Sequence, residues 1–119
     1  PPALEASQAS DLQSAVERAS EEGKVVLAIA TADWCPPCQV YKRNALVDER
    51  VEQWIADNAI SVTLDVTDPN TPNPDAKSLG VQGIPTTFVI NAQGQLVSQA
   101  TGALSADDLL TMLAQATDQ

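Results

Sequence analysis

The run Val25-Val26-Leu27-Ala28-Ile29-Ala30 is apolar at every position. A strand that is apolar on both faces belongs in the middle of a sheet covered on two sides. Both cysteines of the chain follow it directly, in Trp34-Cys35-Pro36-Pro37-Cys38. Behind them, Gln39 to Leu46 reads as a helix. A Cys-x-x-Cys pair at a strand-to-helix junction has a physical reading. A thiol at a helix start sits near unsatisfied N–H groups and the positive end of the helix dipole, which favour thiolate over thiol. Two intervening residues let one helical turn bring the sulfurs within bonding reach.

The flanking chain supplies the other elements. Ser10 is expected to cap a first helix, with Gln13 at the capping-box position, Leu12, Ala15, Val16 and Ala19 on its apolar face, and Gly23 as its stop. Asp48 can cap a helix carrying Val51, Trp54 and Ile55, which Asn58 ends. Ile60 to Val66 alternates and is rich in β-branched residues, the pattern of a strand. Residues 67 to 74 hold prolines at 69, 72 and 74 and form a loop. A short helix over Asp75 to Leu79 is stopped by Gly80. Thr86 to Ile90 and Gln95 to Gln99 make a hairpin, turned at Asn91-Ala92-Gln93-Gly94 with glycine at the positive-φ position. Ser105 caps a last helix with Leu109, Leu110, Met112 and Leu113 as its apolar stripe. The crossover between the first two strands makes them parallel, and the hairpin adds antiparallel strands. The expectation is one α/β domain over 1–119, with 1–9 as an arm. Its mixed sheet has four strands, with room for a fifth, and helices on both faces.

Composition narrows the chemistry. At 119 residues and 44% apolar, the chain can bury a modest core. A formal charge of −10 argues against nucleic acid and anionic lipid as partners. There is no histidine, which removes Cys–His proteolysis, His-metal sites and imidazole acid–base work. No apolar run approaches the roughly 20 residues of a membrane span. The start at Pro1-Pro2, without an initiator methionine, is expected of a processed or trimmed chain, so an export signal or anchor would lie outside this sequence.

Taken together, Trp34-Cys35-Pro36-Pro37-Cys38 and Gly83-Ile84-Pro85-Thr86, about fifty residues on, resemble the thioredoxin superfamily. The resemblance spans Lys24 to Leu113. Ala32-Asp33-Trp34-Cys35, Asp48-Glu49-Arg50-Val51 and Leu64-Asp65-Val66-Thr67 are most similar to the C-terminal thioredoxin-like domain of the bacterial membrane thiol:disulfide interchange protein and its soluble relatives. The resemblance implies a thioredoxin fold and a thiol–disulfide oxidoreductase. In it Cys35 is the exposed attacking thiol, Cys38 the more buried resolving thiol, and Trp34 the shaper of the surface beside the sulfur. Pro85 is expected in the cis form, facing the disulfide, with the Ile84 backbone pairing to a substrate chain as an added strand. It implies no cofactor beyond a Cys35–Cys38 disulfide. Its partners would be protein thiols and disulfides, with a thioredoxin-like or membrane interchange protein as upstream donor. The chain is expected to be a monomer, in a bacterial periplasm or tethered facing it, with the cytoplasm as the alternative.

The chain departs from that pattern twice. Thioredoxins carry a buried acid six residues before the first cysteine, where this chain has Ile29, so the usual proton acceptor for Cys38 is absent. The dipeptide is Pro36-Pro37 rather than Gly-Pro. Pro36 is expected to remove an N–H near Cys35 and to stiffen the turn. Without a histidine in the dipeptide, a reducing protein is favoured over a strong oxidant. Asp33 is expected to be solvated or to tune Cys35, Asp65 and Asp68 to cap the loop, and Trp54, Tyr41 and Phe88 to pack in the core. Other readings of the pair stay open: a structural disulfide, a Cu(I) carrier on two thiolates, or a redox-sensing interaction module.

Overall fold

The computed structural model describes residues 9–117. The elements are α1 (Leu12–Glu22), β1 (Val25–Thr31), α2 (Pro36–Arg43), a 3-10 turn (Ala45–Val47), α3 (Glu49–Asn58), β2 (Ala59–Asp65), α4 (Pro74–Leu79), β3 (Thr86–Ile90), β4 (Leu96–Thr101) and α5 (Ala106–Thr117). Among the described residues the sheet has four strands, in the order β2-β1-β3-β4. β1 pairs parallel with β2, from Val25 opposite Ala59 to Thr31 opposite Asp65. It pairs antiparallel with β3, and β3 pairs antiparallel with β4.

Every residue of β1 is buried, as a strand apolar on both faces demands. Val25, Leu27 and Ile29 pack with Tyr41 of α2, Val51 and Ile55 of α3, and Leu109 and Leu113 of α5. Val26, Ala28 and Ala30 face the other way, against Ala15 and Ala19 of α1, Ala76 and Phe88. Helices therefore cover both faces. Each large aliphatic side chain removed from water stabilises this arrangement by about 1.5–3 kcal/mol.

Several local expectations shift. Asp11, not Ser10, caps α1: its carboxylate accepts the Ser14 N–H at 2.8 Å, and Asp75 accepts the Leu12 N–H at 3.0 Å. The Ser14 bonds hold the Asp11 carboxyl below its usual range. β2 does not alternate in burial, because helices cover both its faces; Ser61 is as buried as Ile60. The helix after the cysteines ends at Arg43 and continues as the 3-10 turn. The return strand of the hairpin starts at Leu96 and reaches Thr101. Trp54 is half-buried against the core rather than inside it. The predicted caps at Asp48 and Ser105 form, and Gly94 turns the hairpin at φ 82°. Of the arm expected over 1–9, only Ala9 lies within the described residues. It is buried, and its N–H donates to the Ser61 carbonyl at 2.7 Å.

Candidate active site at the end of the central strand

The register of the sheet assembles the site. Parallel pairing puts the residues after β2 beside those after β1. Antiparallel pairing of β3 sets Thr86 opposite Ala30, so the residues before β3 arrive at the same edge. Segments 32–38, 65–67 and 83–85 thus meet, although they are distant in the chain. Ala32, Cys35 and Cys38 form a small buried cluster there, with Val66 and Ile84 packed against it.

Cys35 and Cys38 are joined by a disulfide, with their Cα atoms 5.2 Å apart. Cys35 is the N-cap of α2, in extended backbone, and its sulfur accepts the Cys38 N–H at 3.2 Å. Pro36 and Pro37 fill the first two helical positions, and both are exposed. A capping side chain ordinarily accepts from the second or third helical N–H. The proline that takes a donor from Cys35 is therefore Pro37. Pro36, at the first position, removes an N–H that the cap does not use. This corrects the expectation placed on Pro36. The Cys35 sulfur also lies 3.9 Å from the Ile84 carbonyl oxygen. In the disulfide this is a contact, since the sulfur has no proton to donate.

The expected contrast in exposure between the cysteines is small. Cys35 is 4% exposed and Cys38 1%. Cys35 is buried because its sulfur turns back over the start of α2 and toward Ile84, instead of projecting from the loop. The Ile84–Pro85 bond is cis, and Pro85 is buried beside half-buried Ile84.

Trp34 is 63% exposed yet held in place. Its indole N–H donates to the Thr67 carbonyl at 2.8 Å, and the Asp33 N–H donates to Thr67 Oγ1 at 2.9 Å. Thr67 is held in turn by Asp65, whose carboxylate accepts the Thr67 N–H at 2.8 Å. Hydrogen bonds from Thr67, first its side chain and then its backbone, hold the Asp65 carboxyl below its usual range, with a smaller contribution from Lys42. Asp33 itself is exposed. The Gln39 amide donates to the carbonyls of Ala32 and Asp33, at 3.4 and 3.3 Å, and closes the loop from the other side. Beside this loop runs a groove of about 450 Å³ lined by Trp34, Val66, Pro69, Pro72, Val81 and Ile84, with Asp68 and Lys77.

The inner side of the site is buried and largely apolar. Ile29 sits in the core, 4% exposed. Opposite it on β3 is Thr87, whose Oγ1 lies 2.7 Å from the Tyr41 hydroxyl. Burial pushes the Tyr41 phenol up to about 12, against the smaller downward pull of the Thr87 bond. Thr67, Gln39 and Thr87 were not singled out from the sequence. Parallel register could have found Thr67, since it places the residue after one strand beside the loop after its neighbour. Gln39 and Thr87 carry no such signal. Among the described residues, no group of three or more His, Cys, Asp or Glu side chains is placed to hold a metal.

The family defined as thioredoxin-like domain matches residues 12–117. The chain is 33% identical over 109 residues to the thiol:disulfide interchange protein DsbD of Vibrio cholerae, covering 89% of this chain and 18% of that protein. It is 35% identical over 91 residues to DsbD of Salmonella paratyphi A, covering 74% of this chain and 16% of that protein. It thus spans less than a fifth of these curated relatives. Among solved structures, the DsbD C-terminal domain of Neisseria meningitidis in the reduced form superposes with a TM-score of 0.71 at 25% identity, over 84% of this chain and 88% of that one. A thioredoxin from Thermus thermophilus gives 0.76 at 22% identity over 91% and 85%, a likeness of fold. With the cysteine pair at the head of α2 and residues 12–117 matched by the family, the chain belongs to the thioredoxin-like family.

Proposed function

We propose that the chain exchanges its Cys35–Cys38 disulfide and dithiol with protein substrates, and works more as a reductant than as a strong oxidant. The observation that carries this is the Cys38 N–H donating to the Cys35 sulfur at the first turn of α2. The same N–H would favour a thiolate on Cys35 once the pair is reduced. That thiolate attacks a substrate disulfide. One Cys35–substrate bond forms, the substrate S–S bond breaks, and the departing sulfur takes up a proton. Cys38 then loses its proton and attacks the Cys35 sulfur. The Cys35–Cys38 bond forms, and the second substrate thiol leaves. Run in reverse, the steps oxidise a dithiol.

Recognition falls to the outer side of the site. An extended substrate segment bonds to the Ile84 backbone as an added strand, against Trp34 and cis Pro85, with Asp33, Pro36 and Pro37 shaping the approach. A reducing direction is supported by the dipeptide without histidine. The DsbD relatives support a membrane interchange protein as electron donor and a site of action facing the periplasm. Among the described residues no helix is long and apolar enough to cross a membrane.

The test is covalent trapping. Cys38→Ser, which stops resolution, accumulates mixed disulfides on Cys35, whereas Cys35→Ser accumulates none. Equal trapping by both variants would reverse or void the assignment. A reduction potential near −270 mV supports the reductant, and one near −120 mV overturns the direction. Stoichiometric Cu(I) uptake without exchange would make the chain a metal carrier instead.

A further inference from the structure

Thr31 ends β1 and is buried, 4% exposed. Its backbone carbonyl accepts the Val66 N–H at 2.9 Å. Its side-chain oxygen, Oγ1, is buried and has no hydrogen-bond partner, the one such oxygen among the described residues. A buried hydroxyl without a partner is uncommon and calls for a reason.

The register places this hydroxyl. Successive residues of a strand face opposite ways, so Thr31 shares the face of Ile29, Leu27 and Val25. That face packs against Tyr41, and Tyr41 meets Thr87, the cross-strand partner of Ile29. Tyr41 on α2 therefore stands level with Ile29 on β1. The other buried side chain of α2 is Cys38, three residues earlier and so one turn nearer the helix start. The helix start lies at the end of β1, and the next step along β1 beyond Ile29 on this face is Thr31. Ala32, the residue after Thr31, packs in the cluster that holds Cys38.

We propose that Thr31 is a positioning residue for the resolving cysteine: its hydroxyl lacks a partner in the disulfide form because its partner is the Cys38 sulfur of the reduced and mixed-disulfide forms. This rests on the thiol–disulfide exchange proposed above. The hydroxyl neither gains nor loses a proton overall. In the resolving step the Cys38 proton is released, the Cys35–Cys38 bond forms and the Cys35–substrate bond breaks. The departing substrate sulfur takes both electrons of that bond and a proton. Thr31 holds the Cys38 sulfur as its charge develops, a duty left open by Ile29, which has no polar atom to offer.

The experiment compares the wild-type chain with Thr31→Val, Thr31→Ala and Thr31→Ser at one pH. It measures the Cys35–Cys38 equilibrium with glutathione and the rate at which a Cys35 mixed disulfide resolves. Removing the hydroxyl should move the equilibrium about tenfold toward the disulfide, equivalent to about 30 mV, and slow resolution about tenfold. Thr31→Ala must show the same shift as Thr31→Val, although it opens the site instead of filling it. Thr31→Ser should restore both readouts to within about twofold of wild type. Meanwhile the disulfide form of Thr31→Val should melt higher than wild type, since it loses an unpaired buried hydroxyl, so a plain loss of structure predicts the opposite sign. If wild type exchanges with glutathione and both hydroxyl-free variants match it, the role of Thr31 is overturned and the exchange function stands. A serine variant that behaves like valine also overturns it. A wild-type chain that does not exchange at all overturns the functional reading itself, and this inference with it.

Discussion

Cys35 and Cys38 share a bond and lie within one turn of α2, yet their surroundings differ in kind. Around Cys35 the structure is polar and built from backbone: a helix N–H, the Ile84 carbonyl, and a loop pinned through Thr67 beside an open groove. One turn further along α2, at Tyr41, the neighbours are core residues, and the polar groups are hydroxyls rather than charges. Ile29 lies among Val25, Leu27 and Tyr41, and Tyr41 pairs with Thr87. The difference separates two tasks. Backbone groups survive every substitution except proline for a donor, so the outer sulfur keeps its setting through many changes of sequence. The proposed role of Thr31 would make the inner sulfur depend on a side chain, which a single substitution reaches directly.

The largest effect should come from breaking the apolar character of the inner side. Ile29→Asp puts a carboxyl into the core cluster and removes an apolar side chain. Denaturant unfolding of the disulfide form should show a loss of about 3–5 kcal/mol. The cost should grow as pH rises, because burial favours the protonated carboxyl. An unchanged midpoint would show that this face is wetter than the geometry implies.

A smaller effect concerns Tyr41 in the intact chain. Its folded-state phenol is raised from 10.0 to about 12, so the native state favours the neutral form. The stability it contributes is full below pH 10 and is lost as pH rises from there to about 12. The shift amounts to about 2–3 kcal/mol. Tyr41→Phe should flatten that alkaline limb of the stability curve. The chain has one tyrosine, so phenolate absorbance follows this group alone. An ordinary titration near 10 in the folded protein would contradict the buried setting.

The smallest effect tests the outer side. Pro37→Ala adds the second helical N–H, a donor that the Cys35 cap can use, while Pro36→Ala adds one that it does not. Alkylation of Cys35 in the reduced protein at neutral pH should speed up about three- to tenfold in the first variant and barely change in the second. Equal responses would mean that helix geometry does not aim these amides.

Much of this architecture could be read along the chain. A run with no polar position, from Val25 to Ala30, forced helices onto both sides of its strand. Gly80 and Gly94 marked stops that only positive φ satisfies, and both adopt it. Other features depended on competition that a linear pattern does not resolve. Ser10 and Asp11 are adjacent and both can cap; the carboxylate reached the Ser14 N–H. The alternation of β2 looked half-buried because Ser61 and Thr63 are polar. Its burial was set instead by helices packed on both faces.

What the sequence determined by itself was local: where strands and helices begin, the spacing that lets two sulfurs meet, and the proline that precedes β3. These follow from backbone sterics and the periodicity of side chains, which act over a few residues. What tertiary structure alone decided was which distant groups stand around each sulfur. Parallel register brought Thr67 to Trp34, and antiparallel register brought Ile84 to Cys35 and Thr87 to Ile29. Pairing of that kind is settled by the burial of whole strands, since a slip of one residue would turn every side chain to the wrong face.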